Sequence, residues 1–292
     1  MIIGTTAVCF INVISRSALN IFDRSLYSRK ILDFFSLYFM LSTLPGLLGL
    51  TSLLCLGEFW ALFDCFLSVP AFILAVTIQL TGLSFSYAFS RLEVRHVVLR
   101  SKLPEIFLPF LFFLPFLKTE AHSLVSLIPL ALTWAALVPL FFDQKNGPSF
   151  FNRETLFLSS SILLQIALTA FVAFPKTNVF DSYIFTVATL IWRSALTLPF
   201  MCRKGSFKFS GCAQRDWIMI LTRSFIGLFT QATFVYCILE GEAWVIWPLL
   251  NMTPLVSSFA SKFFLKEPLK KREMCALGGF AAGSLFAQWM GL

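Results

Sequence analysis

Residues 85–93 read F-S-Y-A-F-S-R-L-E and residues 234–240 read F-V-Y-C-I-L-E, and each leads into a long apolar run that closes on a Lys/Glu turn, Lys118–Glu120 and Lys266–Glu267 respectively. Glu93 and Glu240 are 147 residues apart, and so are Glu120 and Glu267. Thr43-Leu44-Pro45 returns as Thr197-Leu198-Pro199 at a spacing of 154. The chain therefore repeats one plan twice. Repeats of membrane-crossing segments form two leaves that rock around a shared central site, the architecture of carriers.

Composition fixes the solvent. Apolar residues make up 58% of the 292 and charged residues 13%, against about 25% charged in soluble domains. The 36 phenylalanines exceed what one water-soluble core could bury, so the chain reads as a multi-pass membrane protein. Its net charge of +8 lies in links between apolar segments, where it anchors loops at an anionic lipid surface rather than binding nucleic acid. The seven cysteines are scattered, with no C-x-x-C and no His beside them, so neither a disulfide framework nor a metal or other cofactor is expected. G-x-S-x-G, H-E-x-x-H and P-loop patterns are absent, and the chain is not expected to be an enzyme.

A crossing helix needs about 20 apolar residues. Scanning at that length predicts an all-α integral membrane fold with ten spans, near 3–22, 32–56, 67–89, 95–117, 121–142, 156–174, 179–201, 217–238, 243–265 and 274–292. Two five-span units follow, 1–145 and 152–292. Odd-numbered links carry fifteen Lys or Arg residues and even-numbered links two, Lys118 and Lys176, which places the odd links in the cytoplasm and both termini outside. The acidic second link (Glu58, Asp64) opposes a basic seventh link, as expected if the second repeat is inverted.

This layout, and residues 239–267, L-E-G-E-A-W-V-I-W-P-L-L-N-M-T-P-L-V-S-S-F-A-S-K-F-F-L-K-E, with Gly278-Gly279 and Gly283 after them, resemble the EamA-like type of the drug/metabolite transporter superfamily. Residues 92–120 fit less well, because Arg95, Arg100 and Lys102 fall where that family is apolar. The resemblance implies a secondary transporter of the bacterial inner membrane, with a small-molecule substrate and no nucleic-acid partner, working as a monomer or homodimer. It implies amino acids or their derivatives first. Some members in host-dependent bacteria import S-adenosylmethionine, whose sulfonium, carboxylate and adenine would suit the groups below. The other readings are a nucleotide-sugar or sugar-phosphate exchanger and a non-transporting membrane scaffold.

Charge inside a bilayer is costly, so ionisable residues within spans are candidates for the site. These are Arg16, Arg193, Arg223 and, in the fourth span, Arg100, Lys102 and Glu105. On a continuous helix Arg95, Lys102 and Glu105 share one face, able to hold a zwitterion, with a base on its carboxylate and Glu105 on its ammonium. Alternatively the fourth span starts near Leu103 and leaves the bases in a link. Glu105 reads as the sole carboxylate deep in a span, which favours exchange or facilitated transport over proton drive. Tyr87 and Tyr236, matched between the repeats, and Trp244 and Trp247 before Pro248 offer rings for stacking or a cation. The mid-span amides Asn12, Gln79, Gln165, Gln231 and Asn251 complete the expected cavity wall.

Overall fold

The structure, a computed structural model, describes residues 2–106, 152–171, 179–202, 212–240, 249–250 and 252–289. Among them the secondary structure is helical throughout, with no strand. The helices are α1 (Ile2–Arg29), α2 (Phe34–Cys55), α3 (Phe59–Phe66), α4 (Val69–Arg91), α5 (Val94–Arg100), a 3-10 turn at Leu103–Ile106, α6 (Arg153–Phe171), α7 (Val179–Cys202), α8 (Gln214–Glu240), α9 (Thr253–Phe264) and α10 (Lys271–Trp289). Among the described residues, α1, α2, α4 and α8 are long and apolar enough to cross a membrane.

The boundaries follow local chemistry. Asp33 caps α2, its carboxylate accepting from the Ser36 amide at 2.9 Å. Ser68 caps α4 ahead of Pro70, a ring tolerated in the first turn because no intrahelical N–H is lost there. Lys30 takes a positive φ where α1 stops, and Gly57 does so between α2 and α3. Pro45 and Pro199 lie inside α2 and α7.

Packing is inside-out relative to a soluble protein. Phe10, Ile11, Ile14, Leu47, Phe225 and Phe229 face outward, while Asn12, Asn20, Asp23, Gln79, Ser161, Thr189, Gln231 and Ser257 are buried. Lipid tails satisfy an apolar side chain but no hydrogen bond, so polar groups turn inward and join helices. Asn20 donates to Ser257 of α9 at 2.9 Å, Tyr38 to the Gln79 carbonyl of α4 at 2.7 Å, and Ser84 and Ser161 join α4 to α6 at 2.6 Å.

Helix pairing has a regular pattern. α1 packs on α8 and α4 on α6; α2 packs on α8 and α4 on α7; α2 and α7 pack on each other. The α2–α7 crossing is tight, because a Cβ on Gly49 would come to 2.7 Å from Val187 Cγ2 and one on Gly46 to 3.2 Å from the Leu190 carbonyl oxygen.

Three differences from the sequence reading bear on the site. First, α1 continues to Arg29, a full two turns past the expected end at 22. Asn20, Asp23 and Arg24 stopped the hydropathy reading, yet they face other helices rather than lipid. Second, the fourth span does not begin as one continuous helix. α5 ends at Arg100, a turn covers Ser101–Lys102, and a 3-10 turn holds Pro104, whose ring disfavours helix in the residue before it. Arg95, Lys102 and Glu105 therefore do not share a helical face. Third, the second link contains α3, packed on α7 through Trp192, whose indole N–H donates to the Phe66 carbonyl at 2.7 Å and whose ring lies 4.4 Å from that of Phe66. The fifth span, the fourth beyond Ile106 and the start of the ninth lie outside the described residues.

Candidate functional site

Each of five helices turns a stripe at 3–4-residue spacing toward one internal space. α1 contributes Arg16, Leu19, Asn20 and Asp23; α2 contributes Tyr38, Leu41, Ser42 and Pro45; α4 runs from Ile78 through Thr81, Gly82, Phe85 and Ser86 to Phe89; α8 contributes Arg223, Gly227, Thr230, Gln231 and Phe234; and α7 adds Leu190 and Arg193, with Gln165 from α6. Spacings of three and four keep side chains on one helical face, so each stripe sets polar groups such as Arg16, Ser42, Thr81 and Gln231 among apolar ones on one side of its helix. The cavity holds about 140 Å³. That volume suits a carboxylate- or phosphate-sized group, whereas sites for whole drug-sized ligands run to about 300–1,000 Å³.

Its electrostatics are dominated by arginine. Arg223 donates from Nε to Asp23 Oδ1 at 2.7 Å, from Nη2 to Asp23 Oδ2 at 3.1 Å and from Nη1 to the Leu41 carbonyl at 2.9 Å. This is a two-pronged Arg–carboxylate pair, the geometry that makes guanidinium selective for planar oxyanions. Arg193 donates from Nε to Gln79 Oε1 at 2.9 Å and from Nη1 to Gln231 Oε1 at 3.5 Å. Its guanidinium lies against Gly82, where a Cβ would stand 3.4 Å from Nη2. Arg16 places its guanidinium 5.5 Å from the centre of the Phe234 ring. Among the described residues no carboxylate pairs with Arg16 or Arg193, so the space carries three guanidinium groups and the single carboxylate of Asp23. Gln231 Nε2 and Thr230 Oγ1, both on the wall, are buried and meet no hydrogen-bond partner among the described residues.

The expected site residues divide accordingly. Arg16, Gln165, Arg193, Arg223 and Gln231 line the cavity, and Gln79 stands behind Arg193 and orients it. Asn12 instead ties α1 to α8, donating to the Thr230 carbonyl and to Thr233 Oγ1 at 2.8 Å each. Tyr87 stacks under Arg91, 4.3 Å from its guanidinium, edge-on to Phe34 and Phe157, and Tyr236 is half-buried away from the wall. The aromatic faces in the cavity are Tyr38, Phe85, Phe89 and Phe234. Glu105's side chain, Trp244, Trp247 and Asn251 lie outside the described residues.

The fourth-span bases belong to a separate, polar seam. Arg95 donates to Glu93 at 2.6 Å and to Glu273 of α10 at 2.8 Å, and Arg100 donates to Thr155 Oγ1 of α6 at 3.1 Å. Lys102 is buried beside them in sequence. Glu267, from the Lys/Glu turn, accepts from the Val94 amide at 3.0 Å and lies 3.5 Å from Arg24. Burial, and then the charge of Glu93, hold its carboxyl above the usual range. At the start of α6 a backbone N–H, and then Arg91 at 2.8 Å, hold Glu154 below it.

The residue that sequence reasoning missed is Asp23. A 20-residue window ends at its charge, but Arg16, Asn20, Asp23 and Tyr27 fall at i, i+4, i+7 and i+11, a polar stripe that would have extended the helix and put a carboxylate beside the arginines.

One solved structure, titled only "Crystal structure of protein", superposes with a TM-score of 0.63 over 99% of this chain and 99% of its own, at 13% identity. At that identity the likeness speaks for the fold alone. No curated protein matches the chain in sequence. Residues 155–288 match the EamA-like transporter family.

Proposed function

We propose that the whole chain is a secondary transporter of the drug/metabolite superfamily, moving a small polar metabolite across a bacterial cytoplasmic membrane by alternating access. The observation that carries this reading is the arginine-lined space within an apolar bundle: Arg16, Arg193 and Arg223 around one cavity, with Gln231 and Thr230 donors on its wall that meet no partner among the described residues. A structural role would pair off Arg16 and Arg193 as Asp23 pairs off Arg223, since an isolated buried charge is costly; no carboxylate among the described residues does so, and this disfavours the scaffold reading. The match to the EamA-like transporter family over 155–288 supports transport. So does the helix pairing. Exchanging α1 with α6, α2 with α7 and α4 with α8 turns the α1–α8 contact into α6–α4 and the α2–α8 contact into α7–α4, as two inverted five-helix repeats would require.

The guanidinium cluster, rather than the fourth-span bases, would hold the anionic group of an amino acid or derivative, S-adenosylmethionine among them, and Asp23 or the ring faces a cationic one. A phosphorylated substrate is the second reading, favoured by three arginines against one carboxylate. Proteoliposomes test both. Uptake of labelled S-adenosylmethionine, a set of amino acids and a sugar phosphate is measured with and without the same compound inside. Saturable uptake stimulated by internal compound is expected for one class; uptake no faster than into protein-free liposomes for every class would overturn the reading.

A further inference from the structure

The three arginines of the cavity are not equivalent. Arg223 is oriented but neutralised, because the Asp23 carboxylate accepts from its Nε at 2.7 Å and from its Nη2 at 3.1 Å. Arg16 has neither a carboxylate partner nor a hydrogen bond among the described residues; it lies over the Phe234 ring, 5.5 Å from its centre. Arg193 is both charged and oriented. Its Nε donates to Gln79 Oε1 at 2.9 Å, where the Nε of Arg223 meets a carboxylate. An amide oxygen accepts such a hydrogen bond without cancelling the charge.

The chemistry of a guanidinium decides which way the neighbouring amides point. Arginine has five N–H donors and no acceptor, so the atom that Gln79 and Gln231 each turn toward Arg193 is oxygen. For Gln79 the amide nitrogen is used on the other side, donating to Ser42 Oγ of α2 at 3.3 Å. Its backbone carbonyl accepts from Tyr38, also of α2, at 2.7 Å. Gln79 is thus clamped between α2 and α7. For Gln231 the nitrogen is left over: Nε2 is buried on a residue of the cavity wall and meets no partner among the described residues, and the same holds for Thr230 Oγ1. On Arg193 itself the described contacts engage Nε and one N–H of Nη1, and the remaining donors all sit on the two Nη nitrogens. Buried donors are costly to leave unpaired, so this is where an accepting ligand belongs. Gly82, one turn after Gln79 on α4, completes the seat, since a Cβ there would already touch Nη2 at 3.4 Å and a larger side chain would press on the guanidinium.

We propose that the anionic group of the substrate, a carboxylate or phosphoryl oxyanion, is received by Arg193 together with Gln231 Nε2, and that Gln79 is the positioning residue that holds Arg193 in place while leaving it charged. Arg223, tied to Asp23 and to the Leu41 carbonyl, shapes the wall instead. A neutral acceptor at position 79 is what keeps the seat open to an anion; a carboxylate there would pair Arg193 off as Asp23 pairs off Arg223. A donor that is oriented before the ligand arrives also binds it at a smaller ordering cost, which sets Arg193 apart from Arg16. This deepens the transport reading above and rests on it.

Gln79→Glu tests the proposal, because it keeps the length of the side chain and its hydrogen bond to Nε and changes only the charge. Calorimetry on the purified full chain in detergent, near neutral pH in a chloride-free buffer, measures binding of acetate and of methyl phosphate. The native chain should bind at least one of them, and the tighter of the two names the group as carboxylate or phosphoryl. Gln79→Glu should bind that anion about tenfold or more weakly, the loss expected when a charged donor is taken up elsewhere. Gln79→Leu, which releases Arg193 without neutralising it, should fall between Gln79→Glu and the native chain. If Gln79 served only to join α4 to α7, Gln79→Glu would hold that joint as well or better. Affinity in Gln79→Glu within about twofold of native therefore overturns the proposal, and so does binding of neither anion. Should Gln79→Glu not fold, Gln231→Met, which removes the leftover donor, decides: severalfold weaker binding supports the proposal and native affinity overturns it. A chain that transports in liposomes while Gln79→Glu binds anion as the native chain does keeps the transport reading and loses this one. Anion binding that depends on Gln79 in a chain that transports nothing does the reverse.

Discussion

The α2–α7 crossing can be probed through Gly49. A Cβ there would come to 2.7 Å from Val187 Cγ2, 3.2 Å from Cγ1 and 3.3 Å from Leu228 Cδ1, against about 3.5–4.0 Å for relaxed carbon contacts. Val187 is fully buried in the same apolar cluster, so Gly49→Ala has to push the helices apart by nearly an ångström. Overpacking of this kind costs about 1–3 kcal/mol. Replacing glycine by alanine inside a helix returns up to about 1 kcal/mol of propensity, so the net effect of the single change is small and is the wrong quantity to read. The coupling with Val187→Ala is the right one, because propensity cancels in a double-mutant cycle. Removing both Val187 methyls takes away the two nearest atoms and leaves Leu228 Cδ1, the flexible end of a side chain. By itself Val187→Ala should cost about 1 kcal/mol, chiefly lost dispersion contacts, since lipid offers no hydrophobic transfer penalty between helices. The double variant should therefore be more stable than the sum of the singles by about 1–2 kcal/mol. Gly46→Ala, which meets backbone at Leu190, should gain nothing from Val187→Ala. Reversible unfolding of the purified protein in mixed micelles of rising SDS content, followed by tryptophan fluorescence, gives the four free energies. Additivity at Gly49 and Val187 within about 0.5 kcal/mol would refute this packing.

Three further outcomes follow from the seam and the links. Glu273→Gln leaves the buried Arg95 with Glu93 alone, and should cost about 2–3 kcal/mol of stability in the same assay, below the full loss of a buried pair because one carboxylate remains. Glu154 binds its proton less readily folded than unfolded. Its contribution is thus present above the unfolded value of about 4.3 and is lost as pH falls through the lower folded value; thermal melts should show Glu154→Gln flattening that acid limb. In single-cysteine variants, an impermeant maleimide applied to intact cells should label Cys55, exposed at the end of α2, and should reach Cys212, before α8, only after permeabilisation. The reverse pattern would put the termini inside.

Hydropathy made the first, second, third and eighth spans legible as long apolar helices, and the sixth and seventh legible as helices, because lipid contact requires long apolar runs. It failed where a helix leaves lipid contact. α1 passes Asn20, Asp23 and Arg24 without ending, since each finds a partner elsewhere in the bundle, Ser257, Arg223, and Phe89 with Glu267 of the link before α10; a one-dimensional window has no way to weigh those partners. α3 is eight residues long, exposes Trp60 and Phe63, and buries Leu62, too short for a span and hence read as a link. Of the site, the arginines of the first, seventh and eighth spans were legible individually as buried charges, but their convergence was not. Spacing along one helix says nothing of which faces meet, so the denser charge of Arg95, Arg100 and Lys102 drew attention, although Arg95 pairs with Glu93 and Glu273 and Arg100 donates to Thr155. Tyr87 and Tyr236 matched between repeats in sequence, yet the cavity takes Tyr38, on another helix, and Phe234, two residues from Tyr236 and on a different face.

We propose that substrate sits among Arg16, Arg193 and Arg223. Initial uptake rates in proteoliposomes, normalised to folded protein, should be compared for Arg193→Gln and Arg100→Ala over a range of concentrations of whichever compound the native chain takes up. Loss of a hydrogen bond from a charged donor amounts to about 1.5–3 kcal/mol, so Arg193→Gln should lower kcat/KM by about ten- to hundredfold, with Arg100→Ala within about twofold of the native protein. Native-like kinetics in Arg193→Gln alongside a collapse in Arg100→Ala would return the site to the fourth span and contradict the account.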